Sequence, residues 1–273
     1  MGIRLIDLRI KDTSKRPRPV CSYLAKEGAF FRQHDPPPPK YWVSHTFLCR
    51  PLEEIIREIA EFVVHDRDAQ TEVVVVVMKG DFPEKLCDDQ WGEVRALWEA
   101  HCNDMIADCH HLTWPIGRLA DAGKRLVLLG QGATCLPAQE DLVRGSWGKT
   151  RTADPNQLMD NMTKWLEDKQ RHISGRNKKL HVLQAELTPD ARMVISSILR
   201  LNCRGGHGTF STNEAAACAA HKVLLQALAS DVWRCLKVNV ITHDFVRADI
   251  IRAIVRRNFS DPSCSVSPEV VGG

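Results

Sequence analysis

The sequence predicts an α/β fold assembled from parallel βα units, and three observations carry that prediction. Glu72 is followed by five consecutive valines, Met78 and Lys79, an apolar β-branched run typical of a strand buried on both faces with helices packed outside. Six strand-like stretches alternate with helix-like sequence along the chain. The length of 273 residues and the 44% hydrophobic content support a sizeable core. At this size both an open doubly wound sheet and a (β/α) barrel satisfy the pattern.

The first strand is read from Gly2 to Ile10, where apolar residues alternate with Asp7 and Arg9 so that the polar side chains share one face. Residues 11–40 are basic and then proline-rich, from Pro36 to Pro39, as expected of an exposed excursion. Tyr41 to Phe47 reads as the second strand. Pro51 then opens a helix in which Leu52, Ile55, Ile56, Ile59, Phe62 and Val63 recur at helical spacing. The valine strand follows, then a helix over about 90–108, a turn at Gly123 and a short strand from Arg125 to Leu129. Asp154-Pro155 opens a further helix past Trp165, and Leu180 to Leu187 reads as a strand closed by Thr188-Pro189. Helices at 190–201 and 213–233 flank a glycine-rich loop. The last strand is Leu236 to Ile241, and a helix to Arg257 follows His243-Asp244-Phe245. No internal repeat or linker is visible, so one domain over 1–258 with a loose Ser- and Pro-rich tail over 259–273 is the simplest organisation.

The charge balance, 37 Lys and Arg against 34 Asp and Glu, leaves +3. That is too small to argue for nucleic acid, and it would not repel an anionic membrane surface. The ten cysteines are scattered without a CxxC pair and no secretory segment precedes them, which fits reduced thiols in a cytoplasmic protein. No apolar run reaches the ~20 residues of a membrane span, so a lipid substrate would be met from the water side by peripheral contact.

In parallel α/β folds the working residues gather at the carboxyl ends of the strands. That rule selects Asp7, Arg9, His45, Lys79, Glu186, His243 and Asp244. Acids, bases and two fixed cations together suit phosphodiester cleavage, which requires proton transfer at two oxygens and positive charge on the phosphate. His101-Cys102 with Cys109-His110-His111 fits no zinc spacing, and on a helix these residues would spread over several faces, so no metal site is expected there. Gly205-Gly206-His207-Gly208 lacks the lysine and the strand–helix setting of a P-loop.

Several ordered segments resemble the X domain of phosphatidylinositol-specific phospholipases C, in particular the stand-alone X-domain proteins of animals. They are Gly2-Ile3-Arg4-Leu5-Ile6-Asp7-Leu8-Arg9-Ile10, Tyr41-Trp42-Val43-Ser44-His45, Glu72-Val73-Val74-Val75, Leu183-Gln184-Ala185-Glu186-Leu187-Thr188-Pro189 and Asn239-Val240-Ile241-Thr242-His243-Asp244-Phe245. The resemblance implies a distorted TIM-type (β/α) barrel and hydrolysis of an inositol phospholipid by a ribonuclease-like pair of histidines. His45 falls on the histidine that protonates the leaving diacylglycerol oxygen. Arg9 falls where bacterial relatives place an arginine on a nonbridging phosphate oxygen and calcium-dependent relatives place an acidic ligand. A guanidinium there would repel a divalent ion, so catalysis without metal or other cofactor is expected. Asp7 either orients Arg9 or forms an ordinary ion pair with it. Lys79 matches a substrate-contacting lysine. Asp244 matches the carboxylate that orients the first histidine, against the plainer reading of a helix cap.

The family's first histidine lies on a strand upstream of the glycine-led one, and this sequence holds no counterpart. The expectation is a barrel incomplete at its N-terminus. It is either a phosphodiesterase whose base lies outside these residues or an inactive X-domain form that binds phosphoinositides or proteins. A glycerophosphodiesterase-type barrel would need a metal-binding carboxylate cluster, which Asp7-Leu8-Arg9 does not supply.

Overall fold

The computed structural model describes residues 3–14, 39–45, 47–65, 71–80, 85–131, 133–138, 143–173, 179–188, 213–236, 238–244 and 246–259. The chain divides into two compact units, Met1–Leu142 and Val143–Gly273.

In the first unit, β1 (Ile3–Asp12) is left and rejoined at the same end. The Thr13 N–H donates to the Lys40 carbonyl at 2.9 Å. A chain that returns without a crossover must run antiparallel. Accordingly β2 (Tyr41–His45) pairs antiparallel with β1, Ile10 opposite Val43 and Asp12 opposite Tyr41. The expected single strand Tyr41–Phe47 is in fact a hairpin. β3 (Phe47–Pro51) turns back antiparallel on β2, with a register shift at Val43/Ser44. The sequence expectation of parallel units throughout is therefore corrected over this stretch. It holds for the next strands, because a helix intervenes: α1 (Leu52–His65) carries the chain over to β4 (Val73–Gly80), which is parallel to β1. Glu53 and Glu54 in the first turn of α1 favour its start through the helix dipole.

α2 (Asp88–Cys102) and α3 (Ile116–Asp121) lead to β5 (Leu126–Gly130), parallel to β4. Gly123, at φ 71°, ends α3. Its N–H reaches Ala120 O and the Lys124 N–H reaches Leu119 O, the paired bonds of a left-handed helix terminus that glycine adopts without strain. The sheet order is β3-β2-β1-β4-β5.

One face of this sheet, with Leu8, Ile10, Val74, Val76, Met78, Leu126 and Leu128, packs under Ile56 and Val63 of α1 and Trp91, Val94 and Trp98 of α2. Each fully buried side chain of this size contributes roughly 1.5–3 kcal/mol of transfer free energy. The five valines are buried on both faces of β4, as their unbroken run predicts. The face opposite the helices carries Asp7 and Arg9 of β1 with Val75, Val77 and Lys79 of β4.

The second unit holds β6 (Val143–Gly145), α4 (Trp147–Thr150), α5 (Pro155–Ile173), β7 (Leu180–Gln184), α6 (Asn213–Ala229), α7 (Asp231–Arg234), β8 (Val240–Thr242) and α8 (Ala248–Phe259). Its sheet is parallel throughout, in the order β6-β7-β8. Leu158, Met162 and Leu166 of α5 pack with Leu183, Ala185, Leu224 of α6 and Ile250 of α8. The molecule is thus mixed α/β, with a five-stranded mixed sheet and a three-stranded parallel one, and no closed barrel forms among the described residues. No described helix is long and apolar enough to cross a membrane.

The expected helix over 190–201, the Gly205–Gly208 loop and the tail beyond 259 lie outside the described residues, as does most of the 11–40 excursion. Cys49, Cys87, Cys102, Cys109, Cys135 and Cys218 are free thiols, with burial pushing Cys102 up to about 11. Cys235, in the exposed turn after α7, is disulfide-bonded. The all-reduced expectation fails at that residue, because scattered spacing carries no information about pairing.

Candidate functional site

The carboxyl ends of β1 and β4 bring three of the selected residues together. The parallel register sets Arg9 directly opposite Lys79, so the two cations leave the same face of adjacent strands, whose backbones are about 4.8 Å apart. Two residues earlier on the same face stands Asp7, which accepts a hydrogen bond from Lys79 Nζ at 2.7 Å. Side-chain exposures of 26% for Lys79 and 44% for Asp7 leave this pair open to solvent. The expected Asp7–Arg9 pairing is replaced by Asp7–Lys79. Asp7 and Arg9 share a face two residues apart on one strand, but the flexible lysine of the neighbouring strand reaches the carboxylate. Half-buried Arg9 keeps no hydrogen bond or ion pair among the described residues. The cluster therefore presents one uncommitted guanidinium and one ammonium with donors to spare, for a net charge of +1. Such a pair suits two nonbridging oxygens of a phosphate.

His45 closes β2, with its backbone opposite Phe47, and the placement of its ring lies outside the described part of the chain.

In the second unit Asp244 follows β8 by two residues and is exposed. α8 starts only at Ala248, so the helix-capping reading of Asp244 does not hold. Its neighbour His243 turns the other way. His243 Nδ1–H donates to the Ala185 carbonyl at 2.8 Å, and its ring lies 5.8 Å from that of His221. His221, buried on α6, in turn donates Nε2–H to Asp249 of α8 at 3.0 Å. Burial, then the neighbouring His221, holds His243 below the ordinary histidine range, although the Ala185 bond opposes this. Sequence reasoning missed this chain because its members are 28 and 58 residues apart. The one available signal was a histidine within the apolar helix Asn213–Ala229.

The Cys109-His110-His111 stretch forms a 3-10 turn, Cys109–Thr113. The two imidazoles do not spread apart as a regular helix would require: their centroids are 3.8 Å apart. With Asp108 they offer ligand atoms within 4.8 Å of one another. His111 Nδ1, however, already accepts the Asp108 backbone N–H at 3.1 Å, which spends the lone pair a metal would need. What remains is an exposed aspartate and an exposed histidine.

No protein-family model and no curated protein matches this chain. Its functional reading stands on its motifs and on this geometry.

The His243 cluster has a measurable consequence. Because His243 is lowered in the folded state, the unfolded chain takes up its proton first as pH falls through about 6.5. The contribution of His243 to stability is thus full above that value and declines below it. His111, also lowered chiefly by burial, adds to the same slope. At Asp249 burial pushes the carboxyl up, but the His221 bond and the Ile250 N–H more than offset this, so its contribution is lost only in stronger acid, below about 4. The thermal midpoint is expected to fall between pH 7 and pH 5, and His243→Gln should flatten part of that fall. An unchanged slope in the variant would remove His243 from the account.

Proposed function

We propose that the chain is a phosphoric diester hydrolase of the phosphatidylinositol-specific phospholipase C X type, acting on phosphatidylinositol or a related inositol phospholipid. The observation that carries this reading is the paired presentation of Arg9 and Lys79 at the carboxyl ends of β1 and β4, with Asp7 holding the lysine. On this reading the finer fold is a TIM-type (β/α) barrel. Arg9 binds a nonbridging phosphate oxygen, Lys79 contacts the substrate and Asp7 orients Lys79. The inositol 2-hydroxyl oxygen attacks phosphorus and gives up its proton to a general base. The bond from phosphorus to the diacylglycerol oxygen breaks, and His45 donates the proton that completes the leaving alcohol. The products are diacylglycerol and inositol cyclic phosphate. The guanidinium occupies the place of a metal ligand, so no metal is required.

A second reading keeps the same two cations without turnover, as a phosphoinositide-binding X domain. It is favoured by one observation: Lys79 and Asp7 are open to solvent, 26% and 44% exposed, where a headgroup can be met without an enclosing pocket.

The test is release of water-soluble inositol phosphate from phosphatidylinositol vesicles, with chelator and with added calcium. Release that survives chelation is the expected result. Loss on chelation would sink the metal-free mechanism, and retained binding with no release in either condition would favour the second reading.

A further inference from the structure

Five large hydrophobic side chains are exposed among the described residues, and three of them fall within ten residues: Val246 at 56%, Ile251 at 48% and Val255 at 46%. They belong to α8 and the segment leading into it. The inner side of this 12-residue helix is fully committed. Ile250 is 1% exposed in the second unit's core, Ile254 packs against the same core, and Arg257 donates to the carbonyls of Trp233 and Leu236. The outer side repeats at helical spacing through Ala248, Ile251, Arg252, Val255 and Arg256, all exposed. Arg247, 65% exposed, precedes it. The acidic residue of α8, Asp249, is turned inward to His221 and carries only a long 3.9 Å contact to Arg247. Arg252 and Arg256 have no acidic partner among the described residues. An apolar stripe two side chains long, edged by arginines, is therefore left open to solvent.

We infer that this face of α8 docks on an anionic lipid surface, a conclusion that extends the reading of the protein as an inositol phospholipid hydrolase and rests on it for the choice of lipid. The charge pattern requires an anionic occupant. The stripe is one helix wide, well short of the ~800 Å² per partner of a stable protein interface. Its described side chains include no aromatic ring on which a nucleic-acid base would stack. A bilayer suits such a face, because shallow burial of Ile251 and Val255 and attraction of the arginines to anionic headgroups act together where either alone is weak. Val246 and Arg247 lie in the segment joining β8 to α8, the same segment that carries Asp244.

The experiment is co-sedimentation of the full chain with phosphatidylcholine vesicles, with or without phosphatidylserine, across a salt series. Binding is expected only with the anionic lipid, declining with salt. It should weaken about 30-fold or more in the Arg252→Glu/Arg256→Glu variant, and also in Ile251→Ser/Val255→Ser, each checked for an unchanged thermal midpoint. Wild-type binding that both folded variants retain overturns the inference, as does a chain that ignores anionic vesicles but is captured by an acidic protein. Because phosphatidylserine is not a substrate, this outcome is separate from that of the hydrolase reading. Hydrolysis of a water-soluble inositol phosphodiester should be unaffected in both variants, and its absence from the wild type would count against the activity and not against the docking face.

Discussion

Arg9→Met is expected to reduce phosphatidylinositol hydrolysis by about 10²–10³-fold, the loss typical of deleting one preorganised donor from a transition-state anion. The phosphorane-like transition state carries more charge on its nonbridging oxygens than the substrate does, so a guanidinium aimed there acts mainly on kcat. Arg9 is suited to the test because it makes no hydrogen bond or ion pair among the described residues, so replacing it breaks no described interaction and the thermal midpoint should stay in place. Arg9→Lys should recover only part of the rate, since an ammonium lacks the planar fork. Lys79→Met differs in kind: it abandons the Asp7 carboxylate that Lys79 now holds at 2.7 Å and leaves a negative charge beside the proposed phosphate site. Full activity in a folded Arg9→Met protein would remove the arginine from the mechanism and with it the case against a metal.

The strands of this fold were legible wherever burial dictates composition. The valine run of β4 declares a central strand because both of its faces must be apolar, and β4 does lie between β1 and β5. Gly123 marks a helix end because the left-handed conformation there is costly for other residues. The direction of a strand is a different matter. Tyr41–Phe47 has the same alternation whether it runs with β1 or against it. What decides is the route of the chain: Thr13 meets the Lys40 carbonyl through its N–H and its hydroxyl, and a lone threonine in a loop does not signal that meeting in the sequence. β6 has three residues, too few for any period to show. The division at 142/143 falls where no composition shift marks a linker.

The candidate site was legible to a similar depth. The rule that function gathers at carboxyl ends of parallel strands selects Arg9 and Lys79, and the register places them side by side. It cannot assign partners, since Lys79 is 72 residues from the carboxylate it holds. Nor does it separate structural from functional carboxylates. Asp12, on the same strand, is 8% exposed and accepts bonds from the Ser14 N–H and from Gln90 of α2 at 2.8 and 2.5 Å. It anchors a strand end, yet in sequence it looks no different from Asp7.

His45→Ala is expected to lower the rate on phosphatidylinositol by about 10²–10⁴-fold, the usual contribution of a general acid. The size of the loss alone would not identify the role, because β2 lies between β1 and β3 and a local distortion there would also slow the reaction. The leaving group separates the two causes. Diacylglycerol departs as a poor alkoxide and needs a proton as the phosphorus–oxygen bond breaks, whereas a nitrophenolate departs as a stable anion. With an inositol nitrophenyl phosphate the variant should regain most of the wild-type rate, and the alkaline limb of the pH profile for kcat should disappear with it. A variant equally impaired on both substrates would mean that His45 shapes the strand and does not deliver the proton. One that is unimpaired on phosphatidylinositol would show that the proton comes from elsewhere.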